Sequence, residues 1–152
     1  MGFGELPEEI CEKLDILAEA GNQFEADGQR GEALAVWKEG LALIPEPQQF
    51  YGETVWFLAS IGDMYFQQGD YKEALACFDS ARGNLSGDGY GNPFVMLRLG
   101  ECFLETGDEK NALEYLLRAY MLEGRDIFEG DDGDDEMKYF EFLRTHVDLG
   151  EE

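Results

Sequence analysis

Three copies of one spaced pattern of apolar, glycine, aromatic and alanine positions run through the chain, and this repeat constrains the fold more than any other feature. Each copy places a glycine between an apolar residue and an aromatic one, at Gly21, Gly62 and Gly100. The matching positions are Leu17, Ala20, Gly21, Phe24, Ala33, Trp37 and Gly40; Leu58, Ile61, Gly62, Tyr65, Ala74, Phe78 and Ala81; and Met96, Leu99, Gly100, Phe103, Ala112, Leu116 and Ala119. Apolar residues at intervals of three and four, without strand-like alternation, predict an all-helical chain.

The repeated glycines indicate close packing between paired helices. Glycine inside a helix costs about 1 kcal/mol relative to alanine, so three in-phase glycines indicate that a second helix approaches closely at each. Each copy also contains a glycine–aspartate turn between its helices. We expect the glycine to end one helix in the left-handed conformation and the aspartate to cap the next. These turns are Asp27 with Gly28, Gly69 with Asp70, and Gly107 with Asp108.

This spacing resembles the tetratricopeptide repeat (TPR), a helix–turn–helix unit of 34 residues. The resemblance covers roughly residues 14–126 and implies an all-α fold, with three tandem TPR units in a right-handed solenoid. It also implies one domain over residues 1–152, with repeats at about 14–47, 55–88 and 93–126. An acidic loop at about 129–136 precedes an amphipathic segment at about 137–147. Since a solenoid leaves its last apolar face bare, we expect this segment to be a capping helix.

The expected helices and connectors follow from these patterns. The helices span about 7–26, 31–44, 49–68, 71–84, 93–106 and 109–123 before the capping helix. The glycines of successive copies lie 41 and 38 residues apart, so the connectors are longer than in the basic unit. These connectors contain Phe50, Tyr51 and Tyr90, which either pack on the core or form a contact edge.

Net charge limits the classes of partner. The chain has 34 acidic residues against 11 lysines and arginines, a formal net charge of −23. A nucleic-acid backbone or an anionic membrane surface would be repelled, whereas a basic protein would be steered toward the chain. Plain solubility is the alternative explanation of this charge.

Catalytic and metal-binding patterns are nearly absent from the sequence. His146 is the single histidine, and Cys11, Cys77 and Cys102 are scattered without the spacing of a zinc site. We therefore expect no enzyme activity, no cofactor and no metal. With neither a secretory signal nor an apolar segment of membrane-spanning length, we expect a cytoplasmic location.

The TPR resemblance implies a partner-binding concave surface lined mainly by the first helix of each pair. Asp15, Ala18 and Ala59 fall on this surface, which lacks the cations of the family's clamp for peptide carboxylates; only Asn22 matches that clamp. A basic, partly apolar peptide or protein surface suits the lining better. The candidate partner-binding residues are Asn22, Glu25, Trp56, Asp63, Phe66, Phe94, Leu97, Glu101 and Glu105.

Three functions remain open for such an interaction module. In size, acidity and repeat content the chain is similar to small bacterial TPR immunity proteins, which bind and neutralise polymorphic toxins; this implies a basic toxin, such as a nuclease domain, as partner. Type III secretion chaperones also carry three repeats in an acidic chain and bind a secreted effector segment. A generic assembly scaffold, including a homodimer, is the third. The contact surface is the groove, the connector edge or the C-terminal tail.

Overall fold

The computed structural model describes residues 5–129 and 134–150, with side chains of the last segment from Met137 onward. These residues form seven α-helices and two short 3₁₀ turns, and no strand occurs among them. The chain divides into two compact units, Met1–Tyr90 and Gly91–Glu152. The all-helical prediction is confirmed.

The first unit consists of two helix pairs. Its helices are α1 (Glu8–Ala26), α2 (Arg30–Leu43), α3 (Gly52–Gln67) and α4 (Tyr71–Arg82). Helix α1 packs against α2, α2 against α3, and α3 against α4. The core cluster comprises Leu14, Ala33, Trp37, Ile44, Phe57, Ile61 and Met64.

The repeated glycines lie where the helices of a pair approach each other. A Cβ built on Gly21 would overlap the indole of Trp37, and one on Gly62 would lie 2.8 Å from the ring of Phe78. The close packing predicted from the glycine phase is therefore present in both pairs of the first unit.

The connector between α2 and α3 differs from the prediction. A helix was expected from Gln49, but a 3₁₀ turn spans Gln48–Phe50 and Tyr51 is extended before α3 begins at Gly52. The amide of Gln48 donates hydrogen bonds to the carbonyls of Leu41, at 2.7 Å, and Ile44 at the end of α2. Gln48 thus satisfies acceptors that the helix end leaves without intrahelical partners.

The second unit contains the third helix pair and the last helix. Its elements are α5 (Pro93–Glu105), α6 (Glu109–Glu123), a 3₁₀ turn (Arg125–Phe128) and α7 (Asp134–His146). Helix α7 lies against α6 and the 3₁₀ turn, and the rings of Phe128 and Phe140 are 5.3 Å apart. The sequence pattern did not predict this turn. Of the expected acidic loop, residues 130–133 lie outside the described part.

The turns within the three pairs confirm the expected glycine conformation but only one of the expected aspartate caps. Gly28, Gly69 and Gly107 adopt positive φ angles of 78°, 80° and 92°, as expected for glycines that end helices. Only Asp108 caps the next helix, by accepting a hydrogen bond from the backbone of Asn111. The N-cap residue Asp70 makes no side-chain capping bond.

Candidate functional site

A pocket of about 390 Å³ lies between α1 and α3 in the first unit. Side chains three or four positions apart share one face of a helix, and this spacing brings the lining residues together. They are Leu14, Asp15, Ala18 and Glu19 from α1, and Glu53, Trp56 and Phe57 from α3. We call this site the α1–α3 pocket.

Trp56 is the exposed aromatic residue of the α1–α3 pocket, with 40% of its surface accessible. Its ring makes edge contacts with Trp37, at a centroid distance of 5.8 Å, and with Phe57, at 5.1 Å. Trp37 is itself buried, and its indole N–H donates to the carbonyl of Ala18. Trp56 therefore presents apolar surface from a position set by two aromatic neighbours.

Three carboxylates give the α1–α3 pocket a negative charge. Asp15 and Glu19 are exposed and Glu53 is half-buried. Within residues 5–129 and 134–150, none of the three forms an ion pair. The pKa of the neighbouring Cys11 thiol is raised by desolvation and then by the carboxylates of Glu53, Asp15 and Glu8. The α1–α3 pocket thus combines apolar surface with uncompensated negative charge.

The other candidate residues of the first unit lie outside this pocket. Asn22 and Glu25 follow the lining residues of α1 toward its C-terminal end. Asp63 accepts a hydrogen bond from Gln67 at 2.8 Å, and Gln67 accepts one from Arg30 at 3.0 Å. Phe66 packs against Tyr71, with ring centroids 5.3 Å apart. Trp56 is therefore the one candidate residue that lines the described pocket.

The candidate residues of the second unit lie on α5. Leu97 and Glu101 were expected on an open surface, but both are buried, and Glu101 forms a 2.6 Å ion pair with Arg98. A cation from the same helix, three positions away, compensates the buried charge. The guanidinium of Arg98 also lies over the ring of Phe94, 4.9 Å from its centroid. Leu97 and Glu101 therefore present no surface to a partner.

Glu105, the last candidate residue, contacts the C-terminal helix. Its Oε2 accepts hydrogen bonds of 2.6 Å from Lys138 Nζ and Tyr139 Oη. Burial alone would raise the pKa of Glu105, but these hydrogen bonds and the Lys138 charge lower it below its ordinary value. In this structure Glu105 attaches α7 to α5.

Four lining residues were not predicted from the sequence: Leu14, Glu19, Glu53 and Phe57. A signal for Glu53 was present, since it precedes Trp56 by three positions and follows the same helix face. Glu53 was not included, because the TPR resemblance placed the binding surface of this helix at Trp56 and at later positions.

A second pocket of about 400 Å³ in the first unit lies between the connector and α4. Two of its lining amides bond to the protein's own backbone: Gln48 caps α2, and Asn84 donates to the carbonyl of Tyr51 at 3.1 Å. The amides that line this pocket therefore hold the connector in place by hydrogen bonds.

Among the described residues, no group of His, Cys, Asp or Glu side chains could hold a metal, and no helix has the length and apolarity to cross a bilayer.

Comparisons with known proteins identify the repeat. The tetratricopeptide repeat family model matches residues 53–122. No curated protein matches the sequence significantly.

Several solved structures share the fold. The first TPR domain of Spaghetti (RPAP3), bound to the HSP90 peptide SRMEEVD, is 15% identical with a TM-score of 0.67; the match covers 89% of this chain and 93% of that one. The Arabidopsis OM64 TPR domain is 16% identical with a TM-score of 0.67, covering 91% and 99%. The Sgt2 TPR domain from Aspergillus fumigatus is 21% identical with a TM-score of 0.63, covering 95% and 80%.

TPR domains are generally non-enzymatic modules of protein–protein interaction. Residues 53–122 match this family directly, and the structural matches extend over 89–95% of the chain. The chain therefore shares the fold of TPR domains.

Proposed function

We propose that the chain is a cytoplasmic immunity protein, which binds a basic toxin, such as a nuclease domain, and neutralises it. The observation that carries the proposal is the α1–α3 pocket, where three carboxylates and the exposed Trp56 line the same site. Among the described residues, none of these carboxylates (Asp15, Glu19 and Glu53) has an ion-pair partner. A partner that supplies cations there would compensate the electrostatic repulsion among these carboxylates.

The charge of the whole chain supports the same choice of partner. A formal net charge of −23 creates a field that raises the association rate of a basic protein by about 10- to 1,000-fold at low salt. A nuclease domain must attract a polyanionic backbone with basic residues. An acidic protein of this size could therefore cover the surface that the nuclease uses for its substrate.

Acidic peptides are poor candidates for this pocket. The Spaghetti domain is bound to the peptide SRMEEVD, whose glutamates and aspartate would meet three carboxylates here. Like charges in close proximity disfavour such a complex by several kcal/mol. The pocket chemistry is therefore opposite to that of a site for acidic peptides.

The test is a salt-graded capture from the native host, with the tagged chain as bait. We expect one basic protein in stoichiometric amount, released as salt rises, and we expect the purified chain to inhibit that protein's activity in vitro. Capture of an extended, amphipathic secreted protein would contradict neutralisation and indicate a secretion chaperone. Recovery of the chain alone, or of many weak partners, would indicate an assembly scaffold instead.

A further inference from the structure

The α1–α3 pocket is large enough to hold a long side chain. Its volume of about 390 Å³ is near the lower end of the range of about 300–1,000 Å³ found for ligand sites. Leu14 and Phe57 are buried beneath its surface, so it can receive the aliphatic part of a long side chain.

The exposed indole of Trp56 favours a cation in this pocket. The face of an aromatic ring carries partial negative charge, and tryptophan gives the strongest cation–π attraction. Arginine is the more frequent partner, since its planar guanidinium stacks on the ring. The edge contacts with Trp37 and Phe57 hold the indole in place, so little side-chain freedom is lost on binding.

The surrounding carboxylates also favour arginine. Asp15 and Glu19 stand four positions apart on α1, where like charges destabilise a helix. Glu53 adds a third negative charge from α3. A guanidinium can pair with a carboxylate through two parallel N–H···O bonds, whereas the lysine ammonium is a compact and strongly hydrated charge.

We infer that the α1–α3 pocket binds one arginine side chain of the partner protein, stacked on Trp56 and paired with the surrounding carboxylates. The inference rests on the proposed function, for which it names the anchor residue of the partner. It accounts together for the exposed tryptophan, the apolar base and the three carboxylates.

The test is an NMR titration of the full chain with three blocked tripeptides, Gly-Arg-Gly, Gly-Lys-Gly and Gly-citrulline-Gly. Citrulline keeps the shape of arginine without its charge. The two tryptophans give separate indole N–H signals, and we expect the arginine peptide to shift that of Trp56 more than that of Trp37. We expect a Kd on the order of 1 mM, with lysine about 3- to 10-fold weaker and citrulline at least about 10-fold weaker.

Three variants test the role of Trp56 and control for an exposed aromatic residue elsewhere. Trp56→Phe should bind arginine a few-fold more weakly, and Trp56→Ala should lose the shift, now followed by backbone signals of α1. Tyr90→Ala removes an exposed aromatic residue that does not line the pocket and should bind as the native chain does. Equal binding of the arginine and lysine peptides, or an unmoved Trp56 signal, would overturn the inference.

The two experiments distinguish failure of the arginine site from failure of the proposed function. Selective arginine binding without capture of a basic partner would uphold the pocket and contradict neutralisation. Capture and inhibition of a basic partner that binds Trp56→Ala as tightly as the native chain would uphold neutralisation and overturn the arginine site.

Discussion

Glycine at the contact between paired helices is the residue-scale feature that ties sequence to fold. A Cβ on Gly62 would lie 2.8 Å from Phe78, and one on Gly100 would lie 2.6 Å from Leu116. Neither distance is compatible with a relaxed core. By contrast, a Cβ on Gly31 in α2 would meet nothing within 4 Å.

Alanine substitution at two helical glycines should therefore have opposite effects. We expect Gly62→Ala to lower the free energy of unfolding by about 1–2 kcal/mol, because overpacking costs more than the helix propensity gained. Gly31→Ala is the matched control and should raise it by up to about 1 kcal/mol. Urea denaturation measures both. A Gly62→Ala chain as stable as the control would contradict close packing at the repeat glycines.

The thiol of Cys77 should make stability depend on alkaline pH. Burial, followed by the charge of Glu73, raises the pKa of Cys77 from 9.0 to about 11, against a lowering effect of Lys38. The unfolded chain therefore loses this proton at lower pH than the folded chain, so stability falls between about pH 9 and 11. We expect Cys77→Ala to show a shallower decline over this range in urea denaturation. Parallel declines in the two proteins would contradict the raised pKa.

The last helix shows how elements are joined within the second unit. Tyr139, Phe140 and Leu143 of α7 are buried, and Glu105 of α5 binds Lys138 and Tyr139. Apolar burial supplies most of the attachment, while the carboxylate fixes the position of the helix on α5.

Removing the Glu105 carboxylate should loosen α7 without unfolding the chain. We expect Glu105→Gln to speed amide hydrogen exchange in α7 and to lower the free energy of unfolding by about 1–2 kcal/mol. Because the folded pKa of Glu105 is lowered, the native contact is present above its ordinary pKa and weakens as pH falls through the folded value.

Glu114→Gln is the control, since Glu114 forms an exposed ion pair with Arg118 on α6 and such pairs contribute little. Unchanged exchange in the α7 amides of Glu105→Gln would show that the carboxylate does not position this helix.

The limits of prediction from sequence are clearest at the element scale. Repeat spacing located all six paired helices, because each glycine and alanine position is dictated by contact with the partner helix. The start of α3 was misplaced, because the Gln48–Phe50 turn depends on the Gln48 amide bonding back to α2. The TPR resemblance implied that Trp56 and Glu101 share a binding surface, but it could not show that Glu101 is buried and paired with Arg98.

Charge is the property of the whole molecule that bears most on partner choice. The net charge of −23 opposes the compact state through self-repulsion while attracting basic partners. Salt screens both effects, because the Debye length falls from about 30 Å at 10 mM salt to about 3 Å at 1 M.

Salt should therefore stabilise the isolated chain at neutral pH. We expect the Tm at pH 7 to rise by several degrees between low and high sodium chloride, because screening reduces repulsion among carboxylates. The same titration near the isoelectric point of about 4.1 should show a much smaller change. A Tm at pH 7 that does not rise with salt would indicate that native ion pairs outweigh self-repulsion.

The most direct test of the central claim compares two double variants by calorimetric titration with the captured basic partner. Asp15→Asn with Glu53→Gln alters the α1–α3 pocket, whereas Glu32→Gln with Glu39→Gln removes the same charge from exposed positions on α2. We expect the first pair to weaken binding at least about 10-fold at unchanged Tm, and the second to stay within about two-fold. Equal weakening by both pairs would show that the partner responds to overall charge, and would contradict a specific site in the pocket.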